Sequence, residues 1–155
     1  MEICKAVFLF PLTKSLRVQK DRLLAETGKY SVEETEDPLD AGRILASSRG
    51  GILYCSDTKK LMKCLAKHNK LFNDSKFRII VVLPKRIVGK ELVELNKSGV
   101  QDILVEPLTE KSLTTKVEYN YQMIRKLLEA LAKKPKNKAK REKMIPENAE
   151  KIKKN

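Results

Sequence analysis

The sequence predicts an α/β protein, a five-stranded parallel sheet with helices on both faces and an extended C-terminal helix. Two observations predict it. Five short apolar runs alternate with five segments of helical period, and strand-then-helix order repeated in this way makes a parallel sheet. The strongest runs are also continuous rather than alternating in polarity, as strands covered on both faces are.

The elements follow in order. Ala6 to Phe10 (AVFLF) is a buried strand, and Thr13 then offers a cap to a helix carrying Leu16, Leu23 and Leu24 opposite a basic face. Gly28 suits the end of that helix. Tyr30 to Thr35 (YSVEET) is polar, and its charges fit an edge strand. A short helix with Leu39, Ile44 and Leu45 follows. Gly50 and Gly51 lead into a third strand, ILYC, and the next helix sets Leu61, Cys64, Leu65, His68 and Leu71 or Phe72 against a lysine face. FRIIVVLP is the most apolar run and is expected at the centre of the sheet. KELVELNKSG is a fourth helix stopped by Gly99, QDILVEP a fifth strand, and Thr109 to about Lys133 one long helical pattern.

Composition bounds the rest. Of 155 residues, 34% are charged and the net charge is +13. From Lys133 onward there are ten Lys or Arg against three Glu, so seven of those thirteen charges lie there. That stretch has too little apolar surface to fold alone and is expected to be a disordered basic tail or linker over 135–155. Cys4, Cys55 and Cys64 have no paired spacing and, with the lone His68, form no zinc set, so they are expected as buried, reduced thiols. No metal or cofactor is called for. The N-terminal apolar stretch is short and interrupted by Pro11, and nothing approaches the roughly 18 apolar residues of a membrane span, so a soluble, cytoplasmic protein is expected.

In open parallel sheets, ligands bind beyond the carboxyl ends of the strands. There the sequence GVQDILVEPLTEKSL resembles the end of bacterial response-regulator receiver (CheY-like) domains, whose pattern is G-A-D-D-Y-L-V-K-P-F before the last helix. Gly99, Asp102, Leu104, Val105 and Pro107 fall in register with it. KAVFLFP sits where the family has K-I-L-I-V-D-D, and GKYSVEETEDPLDAGRIL is similar to its second strand and helix. The resemblance covers about Ile3 to Lys126. It implies the flavodoxin-like receiver fold over 1–126, followed by a helical extension at 127–134 and the basic tail at 135–155. It also implies a turn at Pro107, often with a cis peptide before the proline.

The family's chemistry needs an acid pair after strand one for magnesium, an acceptor Asp ending strand three, a Thr or Ser after strand four and a Lys on strand five. This chain departs at each. Phe10 and Pro11 replace the acids, Ser56 follows strand three with Asp57 one residue late, Pro84 takes the sensor position, and Glu106 stands for the lysine. The resemblance therefore implies a degenerate phosphorylation site, a pseudo-receiver with no catalytic residue, acting by protein–protein contact independently of phosphorylation. Asp57 or Ser56 also suits the cap of the following helix, and Glu106 is expected to face solvent or pair with Lys85 or Arg86.

The last helix repeats Leu113, Val117, Tyr121, Ile124, Leu128 and Leu131 on one stripe for about five turns, longer than a receiver's final helix. Leu127, Leu128 and Leu131 are expected to lie beyond the sheet and to meet a protein partner, an absent output domain or a second copy; the alternative is that these turns fold back on the same chain. Receivers use the fourth and fifth helices and strands for such contacts, which adds Val88, Leu92, Leu95, Leu108 and Leu113 to Leu128 and Leu131 as partner-binding candidates. Other readings are a regulator that meets nucleic acid or an anionic surface through its tail, a receiver with Asp57 as an atypical acceptor, and, by analogy alone, a nucleotide sensor.

Overall fold

The computed structural model describes residues 4–153 other than 27 and 88, with side chains through 132. The candidate Val88 therefore lies outside what is described, as do the side chains of the tail expected at 135–155. Five strands, β1 (Cys4–Leu9), β2 (Tyr30–Thr35), β3 (Gly51–Cys55), β4 (Phe77–Leu83) and β5 (Asp102–Val105), alternate with α1 (Lys14–Ala25), α2 (Pro38–Ala46), α3 (Thr58–Phe72), α4 (Lys90–Lys97) and α5 (Glu110–Lys153). All pairings are parallel, in the order β2-β1-β3-β4-β5. β2 is an edge strand, as its polarity requires. The middle place belongs to β3, whose five residues are all buried, and not to β4 beside it. Both strands are covered on both faces, so apolar content alone does not rank them.

Alternation along the strands sends side chains to two cores. Ala6, Phe8, Ile52, Tyr54, Ile80 and Val82 meet α1 and α5 on one face. Val7, Leu9, Leu53, Cys55, Ile79 and Val81 meet α2, α3 and α4 on the other. Within α1 the buried row is Leu16, Gln19 and Leu23, while Leu24 is exposed; Gln19 accepts from the Thr114 hydroxyl of α5, which satisfies its carbonyl oxygen at that helix–helix contact. α5 buries Leu113, Val117, Tyr121, Ile124 and Leu128. Leu128 is thus core rather than a free contact, and so are Leu95 and Leu113. The alternative of turns folded back on the chain holds as far as Leu128, whose side chain lies close to Gly50.

Polar side chains tie α5 to the sheet edge. Asn120 is fully buried, accepts from the Arg78 guanidinium of β4 and donates to Asp102 of β5 at 2.7 Å. A buried amide with both ends bonded fixes the helix's register on the sheet. Among the described residues no helix is long and apolar enough to cross a membrane.

Candidate functional site

Strand order reverses between β1 and β3, and a cleft of about 530 Å³ opens above that point. Pro11, Ser56, Asp57 and Pro84 line it with Lys59, Lys85 and Glu91. Four of the six residues read from the sequence as the degenerate site therefore converge. Phe10 does not join them; its ring packs on the α1–α5 core, with the Lys20 ammonium 5.5 Å from its centre.

Several polar groups in and beside the cleft already have local work. Asp57 caps α3, its Oδ1 accepting from the N–H groups of Lys59 (2.9 Å) and Lys60 (3.2 Å). Ser56 is not the cap; its hydroxyl donates to the Pro11 carbonyl at 2.5 Å. Thr58 donates to Glu91 at 2.9 Å and joins α3 to α4. The Lys60 ammonium lies on the carbonyls of Phe10 (2.5 Å) and Glu36 (3.0 Å), closing the ends of β1 and β2. Sequence reasoning missed Lys60, because a lysine on an amphipathic helix gives no sign that it turns back onto strand ends.

Magnesium takes oxygen ligands in near-octahedral geometry. At the end of β1 the Phe10 carbonyl already holds an ammonium, and Pro11 brings no carboxylate. These residues do not fit the metal.

Glu106 departs furthest from expectation. Its backbone N–H donates to the Leu83 carbonyl, continuing the sheet, and the Phe10–Pro11 and Glu106–Pro107 peptides are both cis. Its side chain turns away from the cleft, from Lys85 and from Arg86, into a separate pocket of about 300 Å³ between α1 and the β5–α5 loop. There Oε2 accepts from the Ser15 N–H at 3.1 Å. Burial alone would raise its pKa, but hydrogen bonds from the Thr13 hydroxyl and from Ser15, with the charge of Lys14, outweigh it and hold the carboxyl below the ordinary glutamate value. The physical reason is the start of α1. Its first turn has no acid, so its unpaired N–H groups and positive dipole end take their counter-charge from the end of β5.

The cysteines are inert by position. Burial pushes the Cys4 and Cys55 thiols up to about 12 and Cys64 to about 11, and all three are free and buried, as expected. His68 is half-buried at a break in α3, its Nε2 3.1 Å from the Leu39 carbonyl of α2. Its ring lies where a side chain on Gly42 would be, since a Cβ there would come within 2.0 Å of it.

No family model matches the sequence, and no curated protein matches it. Solved structures do. The chain is similar to the signal receiver domain of a LuxO repressor protein from Vibrio parahaemolyticus, with 20% identity, a TM-score of 0.59 and coverage of 84% of this chain and 98% of that one. A CheY-like receiver domain from Methanospirillum hungatei gives 14% identity and a TM-score of 0.56, covering 79% and 98%. A LuxR-family DNA-binding response regulator from Staphylococcus aureus gives 13% and 0.52, covering 77% and 99%. With a five-stranded parallel sheet in the order 2-1-3-4-5, two helix layers and these neighbours, the chain has the fold of a response-regulator receiver domain.

Proposed function

We propose that this chain is a cytoplasmic signalling or scaffolding module of receiver fold, not an enzyme, that works by protein–protein contact and independently of phosphorylation. The Glu106 carboxylate carries the reading. On the strand where the family places a lysine to offset phosphoryl charge, this chain has an anion, and that anion is engaged by α1. The contact surface we assign is α4, β5 and α5. β5 is an edge strand with one open side, and Val93 of α4 and Tyr119 of α5 are 49% and 57% exposed. Leu92 of α4 and Leu108 before α5 are half-buried, and Leu131 is 37% exposed. The partner is an output domain, another protein or a second copy.

The test is a two-dimensional amide NMR titration with magnesium and then beryllium fluoride, a phosphoryl mimic. Resonances of Ser56, Asp57 and Lys85 should stay in place. Saturable shifts at these positions would favour the other reading, Asp57 as an atypical acceptor.

A further inference from the structure

Helix α3 carries five lysines and no acidic residue from Thr58 to Phe72. Lys60 is taken by the carbonyls of Phe10 and Glu36. The other four, Lys59, Lys63, Lys67 and Lys70, are exposed, and among the described residues their ammonium groups have no ion-pair or hydrogen-bond partner. On an ideal helix Lys59, Lys63 and Lys67 fall within about 80° of arc along about 12 Å, and Lys70 follows beyond the break at His68. On other helices several bases are answered by acids. Lys20 and Arg22 of α1 reach Glu34 and Glu110, Arg43 of α2 reaches Asp40, and Lys116 and Arg125 of α5 reach Asp102 and Glu129. On a chain of net +13, the α3 row is a strip of uncompensated charge whose members, one turn apart, repel one another.

The geometry points to this row as a contact surface for the phosphate backbone of nucleic acid, bound without reading sequence. Charge complementarity requires a polyanion. Protein interfaces are depleted in lysine and anchored by aromatic residues and arginine, whereas this row presents Ala66 and Asn69 between its lysines. A membrane-bound helix lays its apolar face into the lipid, but the apolar face of α3, Leu61, Cys64 and Leu65, is buried on the sheet. Lysines repeating about every 6 Å suit a backbone charged at every few ångströms. The ten Lys or Arg from Lys133 onward add to the same attraction. The surface is distinct from the α4–β5–α5 face and does not depend on it.

The experiment is fluorescence anisotropy of the full chain with a labelled DNA duplex of about 20 base pairs, from about 50 to 200 mM salt. The variant Lys59→Gln, Lys63→Gln, Lys67→Gln, Lys70→Gln is measured beside it, with circular dichroism to check folding and Lys63→Gln, Lys67→Gln as a milder second variant. Each phosphate contact adds about 0.9 to the slope of log affinity against log salt, so the fourfold variant should lose up to about 3.6 of slope and bind at least about tenfold more weakly at low salt. A duplex of unrelated sequence should bind equally well. Identical slopes for the native chain and both variants would overturn the proposal, as would no duplex binding at low salt. So would row-dependent binding to poly-glutamate with the duplex left free, which would assign the row to an acidic protein.

Discussion

Glu106 turns a donor position into an acceptor, and its neighbours change accordingly. Because its pKa is depressed in the folded chain, its contribution to stability is fully present above the ordinary glutamate pKa and is lost as pH falls through the folded value. Glu106→Gln should therefore cost about 1 kcal/mol at neutral pH, as charges at helix starts do. The gap from the native chain should close progressively below about pH 5. Urea denaturation across pH checks this, and a gap that does not change with pH contradicts it. The substitution was legible in the sequence because Pro107 fixes the register. Its partner was not, because Ser15 lies 91 residues away and only the closed sheet brings the two together. Asp57 shows the reverse case: a cap depends on neighbours two and three residues on, so the sequence alone narrows it to Ser56 or Asp57.

At the scale of elements, α5 divides into a part that covers the sheet and a face that does not. Periodicity identified Leu113 through Leu131 as one stripe but not how far the sheet reaches beneath it. That limit is set by where Gly50 brings β3 against Ile124 and Leu128. Leu128→Ala should destabilise the fold by about 2–5 kcal/mol, the usual cost of emptying a core leucine site. Tyr119→Glu with Leu131→Glu should leave the melting temperature nearly unchanged, because both positions are exposed. If the partner is a second copy, the same pair of changes converts a dimer to a monomer in light scattering. A native monomer assigns the face to a different protein. Gln19 within the buried row of α1 was not legible, since its polarity is answered only by Thr114 on another helix.

For the whole molecule, alternating strands and helices, turn residues and chain length suffice to specify the doubly wound sheet, and the order 2-1-3-4-5 brings the ends of β1, β3 and β4 around one cleft. Local signals place the elements; they do not say which polar groups will be consumed in holding the strand ends. Lys60 on Phe10 and Ser56 on Pro11 are such groups, and they occupy the carbonyls at the end of β1. The central claim is a receiver fold without phosphotransfer. Its most direct test is the intact mass of the full chain after incubation with acetyl phosphate and magnesium. The mass should be unchanged; a stoichiometric phosphoryl adduct that disappears in Asp57→Ala would contradict a receiver fold without phosphotransfer.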